Sequence, residues 1–140
     1  MKTATRGVLT EQGGAAAVEF ALILPMLLLL IFGMIDFSRA YNAHISLSGA
    51  AREGARVLAL GTGDPVQTTK DAAPSLPPDE ITVALDPADC AGSAGQPANV
   101  TASYDFSYIT PLSGLMSLFG GSALASPITL NGIGVMRCGG

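Results

Sequence analysis

The chain has 140 residues, of which 49% are hydrophobic and 13% are charged, and its formal net charge is −4. This length is enough for one domain. The seven lysines and arginines are scattered along the chain, so the sequence offers no basic patch for binding nucleic acid through its phosphates. The composition therefore excludes a nucleic-acid-binding protein and favours a small protein that is associated with a membrane.

The N-terminal elements predict a leader followed by a membrane segment. Residues 1–14 are short, polar and typical of a leader rather than of a folded element. Residues 15–36 follow, and over residues 15–35 the apolar run is interrupted only by Glu19. A helix of this length spans roughly 30 Å, the thickness of the hydrocarbon core of a bilayer. Lys2 and Arg6 precede it and favour a cytoplasmic N-terminus, with the C-terminal part outside the cytoplasm.

The helical pattern continues beyond the membrane segment. Apolar and small residues recur at helical spacing from Leu47 to Leu58, and the first strong helix breaker is the sequence GTGDP, which begins at Gly61. We therefore predict one long helix over about residues 15–60, whose second part, residues 37–61, is an amphipathic extension.

Residues 62–140 are predicted to form a small, extracytoplasmic, β-rich domain. We expect a short helix over residues 66–73 and three strands over residues 81–85, 100–108 and 128–136. An apolar segment with helical spacing lies over residues 112–125, between the last two strands. Gly132 and Gly134 indicate a bulge in the last strand. The predicted fold class is α+β, with the long N-terminal helix packed on a small antiparallel sheet.

The two cysteines, Cys90 and Cys138, both lie in this presumed exported domain. In an oxidising compartment they favour a disulfide, which would stabilise a domain with a small core by about 2–4 kcal/mol. The alternative is a pair of buried free thiols.

The sequence contains no pattern that is typical of an enzyme. His44 is the single histidine, and no acidic residue accompanies it at a spacing that would build a catalytic or metal site. The two cysteines do not form the Cys-x-x-Cys motif of redox proteins. We expect no catalytic residue, no cofactor and no metal ion.

Glu19 is unexpected in an apolar segment, because a carboxylate inside a membrane is unfavourable. An ordinary signal peptide, cleaved near the sequence SRA at residues 38–40, would have a shorter apolar region of roughly 7–15 residues. An uncleaved signal anchor fits the length but leaves Glu19 without an explanation. Both stay open as alternatives.

The sequence GGAAAVEF, which begins at Gly13, resembles the processing site of type IV pilins. In that family a prepilin peptidase cleaves after a glycine on the cytoplasmic side, and glutamate is the fifth residue of the mature chain. The resemblance implies cleavage between Gly14 and Ala15, so that Glu19 becomes the fifth residue and Phe20 its neighbour. It also implies that Glu19 pairs with the free N-terminal amine of a neighbouring subunit.

A wider stretch, residues 14–61, resembles the TadE family of minor pilins, or pseudopilins, of tight-adherence (Flp) pilus systems. The matching pieces occur in order: AVEFA at 17–21, Pro25, the leucine run, Gly33, DF at 36–37, RA at 39–40 and AAREGAR at 50–56. The resemblance implies a pilin-like fold. Beyond residue 61 only the general layout agrees, so a TadF-like or TadG-like relative stays an alternative, although TadG proteins are longer.

The resemblance implies a minor pilin that is processed by a prepilin peptidase and is required for pilus biogenesis. Its implied partners are other pilins, the platform proteins of pilus assembly and the inner (cytoplasmic) membrane, with the pilus or cell surface as its place after processing. The alternative from another class is a single-pass anchored extracytoplasmic binding domain that never enters a pilus. Six helix residues serve either for packing within the chain or for docking other pilins: Ala51, Arg52, Glu53, Gly54, Ala55 and Arg56.

Overall fold

The computed structural model describes residues 12–111, 114, 117, 120 and 127–139. Within these residues the elements are, in chain order, α1 (Gln12–Leu60), α2 (Pro65–Asp71), a 3₁₀ turn (Pro78–Glu80), β1 (Ile81–Asp86), β2 (Pro97–Phe106) and β3 (Ile128–Arg137). Most of the predicted leader and most of the predicted apolar segment 112–125 lie outside the described residues. The predicted α+β class, a long N-terminal helix on a small antiparallel sheet, is confirmed.

α1 is one helix of 49 residues that continues through Pro25. Its N-terminal half presents large apolar side chains outward, among them those of Phe20, Leu22 and Met26. It is the one helix in the described part of the chain that is long and apolar enough to cross a membrane. An open apolar surface of this size needs an apolar surrounding, so this half of α1 suggests a single-pass membrane anchor.

The three strands of the described residues pair antiparallel in the order β1-β2-β3. In the central strand β2, Val100 and Ala102 are buried, whereas Thr101 and Ser103 between them are partly exposed. This alternation gives the sheet one apolar face, which packs on α1, and one wet face, as the sequence predicts. β2 ends at Phe106 rather than at residue 108, and its last pair with β3 is Phe106 opposite Ile128.

The predicted bulge in β3 is wrong. Gly132 and Gly134 keep a continuous register opposite Ala102 and Val100 of β2. Both glycines are instead required by the helix above them: a Cβ on Gly132 would lie 2.5 Å from the carbonyl oxygen of Leu47, and one on Gly134 would overlap the next turn of the α1 backbone. The missing side chains let α1 lie directly on the strand.

Two clusters of buried side chains join the C-terminal half of α1 to the sheet. The first includes Leu47 of α1 and Ala102 of β2. The second includes Leu58 of α1, Val100 of β2 and Cys138. The predicted stripe from Leu47 to Leu58 therefore supplies the helix side of the core.

α2 packs against α1 at a second close contact. The Asp64 carboxylate accepts a hydrogen bond from the Val66 backbone N–H at 2.8 Å and so caps the helix. Thr69 is fully buried, and its hydroxyl donates to the Pro65 carbonyl at 2.7 Å. Gly54 of α1 faces this threonine, and a Cβ on Gly54 would overlap the Thr69 hydroxyl. A glycine is therefore needed where the two helices meet.

Candidate functional site

The predicted cleavage site lies at the exposed N-terminal end of α1. Gly14, Ala15, Glu19 and Phe20 are all exposed. Because α1 begins at Gln12, the bond between Gly14 and Ala15 lies within the first turn of the helix. A Cβ on Gly14 would meet nothing within 4 Å, and glycine in a helix is unfavourable relative to alanine by roughly 0.5–1 kcal/mol. Packing among the described residues therefore gives no reason for a glycine at position 14.

The Glu19 carboxylate forms no ion pair within the described part of the chain. It lies about 6 Å along the helix axis from Ala15, at a rise of ~1.5 Å per residue. A charge at the centre of a bilayer is unfavourable by about 2.5–3.5 kcal/mol on insertion scales, and such residues usually face a protein partner. The geometry leaves the carboxylate free to meet a cationic group from outside the folded chain.

A buried carboxylate at the far end of the apolar segment forms a second site, which sequence reasoning missed. The Asp36 side chain is only 2% exposed. Its Oδ1 accepts a hydrogen bond from the Ile109 backbone N–H at 3.3 Å, and its Oδ2 accepts one from the Thr110 hydroxyl. Arg39 places Nη1 3.4 Å from Oδ1. We call these four residues the Asp36 clamp, because they hold the segment after β2 against α1.

Arg39 connects the clamp to the sheet. Its guanidinium carbon lies 5.1 Å from the centre of the Phe106 ring, a distance at which a cation is attracted to an aromatic face. The Phe106 ring in turn meets the Tyr108 ring edge-on, with the ring centres 5.8 Å apart. The buried Asp36 carboxylate is thus both paired with a cation and hydrogen-bonded, the condition under which a protein tolerates a buried charge.

The sequence contains only a weak signal for this clamp. Asp36 is the residue that ends the uncharged run of the membrane segment, which indicates a boundary but not a partner. Ile109 and Thr110 lie 73 and 74 residues further along the chain. Since no periodic pattern relates positions so far apart, only the fold brings them together.

The structure separates the six candidate packing or docking residues into two groups. The small ones are buried in the chain's own domain: Ala51, Gly54 and Ala55. The charged ones are exposed: Arg52, Glu53 and Arg56. Arg56 Nη1 lies 3.7 Å from Glu53 Oε1 across one helical turn. Packing within the chain accounts for the small residues, whereas docking of another pilin stays a prediction that now concerns the charged ones.

The cysteines are joined as predicted. The Cys90–Cys138 disulfide connects the loop between β1 and β2 to the residue that follows β3, with the two Cα atoms 5.4 Å apart. His44 is exposed on α1. Within residues 12–111 and 127–139, no group of three or more histidine, cysteine or acidic side chains could hold a metal ion.

These features define a class: an α+β protein whose small, disulfide-bonded sheet domain is carried on one long helix with the character of a single-pass membrane anchor. Residues 14–56 match the model of the family described as TadE-like protein. The match confirms the resemblance predicted from the sequence, and it indicates a protein associated with Tad pilus systems. It covers most of α1 and ends before α2, so the sheet lies outside it. No curated protein and no solved structure gives a match to this chain.

Proposed function

We propose that the protein is a minor pilin, or pseudopilin, that a prepilin peptidase cleaves between Gly14 and Ala15 and that is required for biogenesis of tight-adherence (Flp) pili. The family match over residues 14–56 carries this proposal. The exposed N-terminal end of α1 supports it, because a peptidase needs access to the bond that it cleaves. Gly14 supports it as well, because packing in the part of the chain that the structure describes does not explain a glycine there. The role is structural rather than enzymatic.

Glu19 has a specific part in this proposal. Cleavage creates a new amine at Ala15, and that amine gives the carboxylate a counter-ion either in the same chain or in a neighbouring subunit. Before cleavage the carboxylate lies close to the cytoplasmic boundary, where a charge is less unfavourable than at the bilayer centre. The pair therefore favours assembly of processed chains over unprocessed ones.

The proposed location follows from the same arrangement. Residues 15–36 cross the inner membrane with the N-terminus in the cytoplasm, and the domain of residues 62–140 lies outside it. The amphipathic extension of residues 37–61 then connects the anchor to the sheet. The proposed partners are other pilins and the assembly platform. They would contact α1 through its exposed side chains Arg52, Glu53 and Arg56.

Replacement of the glycine tests the processing step. We expect Gly14→Leu to block cleavage, because a large side chain before the scissile bond does not fit a site made for glycine. The uncut chain should then run about 1.4 kDa heavier than the mature one, a tenth of the 14.2 kDa chain. Gly33→Leu is the matched control, since Gly33 also lies in the apolar helix with open space around it. Co-expression with the cognate peptidase and N-terminal sequencing give the result, and a wild-type chain that keeps residues 1–14 contradicts the proposal.

Replacement of Glu19 distinguishes an effect on pilus assembly from an effect on membrane insertion. Glu19→Leu makes the helix more apolar, so insertion should be as good as in the wild type. It removes the partner of the new amine, so we expect fewer surface pili and weaker association with other pilins. Glu80→Leu, an exposed glutamate in the 3₁₀ turn before β1 and away from α1's proposed docking residues, is the control. A normal number of pili from Glu19→Leu cells would instead favour an anchored binding domain that never enters a pilus.

A further inference from the structure

The Asp36 clamp fixes the position of the sheet domain along the axis of α1, relative to the end of its apolar half. Side chains on a helix lean toward its N-terminus, so the Asp36 carboxylate points back toward the apolar half of α1. Ile109 and Thr110 bind that carboxylate. The segment after β2 is therefore held at the last turn of the membrane-spanning stretch, and not further out along α1.

The side chains at this position along α1 form an exposed apolar and aromatic surface. Ile109 is 70% exposed and Phe37 is 73% exposed. Tyr41 is also exposed, and its ring stacks on that of Phe37 with the ring centres 6.2 Å apart. Tyr41 lies about 8 Å beyond Asp36 along the helix axis, which is roughly the depth of the polar headgroup region. Tyrosine is enriched at this depth, where its apolar ring and its polar hydroxyl are both satisfied.

We infer that the sheet domain rests on the outer surface of the membrane, with Ile109 inserted at the lipid boundary at about the depth of Phe37 and Tyr41. The occupant of this exposed apolar surface is the lipid bilayer, because the surface is continuous with the membrane-spanning half of α1 and lies at its end. The inference rests on the anchoring part of the proposed function. It is independent of cleavage and of pilus assembly.

The middle of β3 is too far from the boundary to share this contact. Gly132 and Gly134 lie against the Leu47 and Arg52 turns of α1, so Ile133 between them is about 20 Å beyond Asp36 along the helix axis. Ile133 is 61% exposed, similar to Ile109. The two isoleucines therefore form a matched pair that differs in distance from the membrane.

The protein contains no tryptophan, so one introduced tryptophan is a clean fluorescent reporter. The full chain is reconstituted in vesicles of phosphatidylcholine and phosphatidylglycerol, with bromine atoms either near the headgroup end or at the far end of the acyl chains. We expect the fluorescence of Ile109→Trp to be quenched more strongly by the bromines near the headgroups than by those at the far ends of the acyl chains. The fluorescence of Ile133→Trp should be quenched by neither set. Phe37→Trp, an aromatic replacement on the helix itself, should behave like Ile109→Trp.

Leu27→Trp in the middle of the apolar stretch reports the membrane span and should be quenched by the deep bromines. Quenching of Leu27→Trp without quenching of Ile109→Trp would overturn the inference and leave the proposed function intact. If the fluorescence of Leu27→Trp is not quenched, α1 does not cross the membrane, and both this inference and the proposed function are contradicted. A normal unfolding midpoint of each variant shows that the reporter has not disturbed the fold.

Discussion

Asp36 shows how a single residue can end a membrane segment and begin a folded domain. The side chain is charged and yet almost fully buried, and its partners among the described residues are two hydrogen-bond donors and the Arg39 guanidinium. Such an arrangement stabilises a carboxylate only while all partners are present, since an unpaired buried donor or acceptor is strongly unfavourable.

Removal of this carboxylate should loosen the segment after β2. We expect Asp36→Ala to lower the free energy of unfolding by about 1–3 kcal/mol, because the Ile109 N–H and the Thr110 hydroxyl lose their acceptor. Denaturant unfolding in detergent micelles measures the loss, and faster hydrogen exchange of the Ile109 amide locates it. Asp105→Ala is the control: Asp105 also accepts from a threonine hydroxyl, that of Thr129 at 2.6 Å, but on an exposed face. That control should change stability by less than about 0.5 kcal/mol, and an equal effect of both variants would contradict the role of Asp36.

At the scale of elements, the closeness of α1 to β3 determines how the domain is built. A helix usually packs on a sheet through interlocking side chains, but here the helix backbone lies against bare glycines of the strand. Small residues on the helix side, such as Ala51 and Ala55, continue this close contact. The result is a thin domain whose stability depends on the absence of side chains at two positions.

Addition of one methyl group in this contact should be unfavourable. The Cβ of Gly134→Ala would lie 2.6 Å from the Arg52 nitrogen and would overlap the Ala51 carbonyl, so α1 and β3 must move apart. We expect a loss of about 1–3 kcal/mol, the usual effect of overpacking. Gly49→Ala is the matched control, because nothing lies within 4 Å of its Cβ, and it should stabilise the helix by roughly 0.5–1 kcal/mol. Opposite signs for the two variants in thermal unfolding support the close contact; a stabilising Gly134→Ala would refute it.

At the scale of the whole molecule, the domain is fastened to α1 at both ends. The Asp36 clamp holds the segment after β2 near the membrane end. At the other end the Gly139 N–H donates to the Ala59 carbonyl at 3.1 Å, and the disulfide joins Cys138 to the loop that contains Cys90. These two attachments keep a small sheet in place on a helix that is much longer than the sheet itself.

Loss of the disulfide should destabilise the end of the domain that lies furthest from the membrane segment. Because the bridge closes a loop with a sequence separation of 48 residues, we expect reduction to lower the free energy of unfolding by about 2–4 kcal/mol. The double variant Cys90→Ser, Cys138→Ser is the control, and a reductant should not change its unfolding further. Alkylation of the unreduced protein and mass measurement should find no free thiol. Two labelled thiols in properly exported protein would contradict the bridge.

Several parts of the architecture follow from the sequence alone. The long helix, the three strands and the membrane character of the N-terminal half were predictable because each depends on the periodicity or apolarity of neighbouring residues. The disulfide was predictable because the chain offers only one pair of cysteines. The resemblance to TadE-like proteins was predictable because its motifs are short and lie in order along one helix.

Other parts were decided only by the tertiary structure. The glycines of β3 predict a bulge when the strand is considered alone, and only the helix above them shows that they permit close packing. Local spacing does not tell which of residues 51–56 face the chain's own core, because that depends on where the sheet and α2 lie. The partners of Asp36 are more than 70 residues away, and a contact over that separation is a property of the fold, which local patterns do not encode.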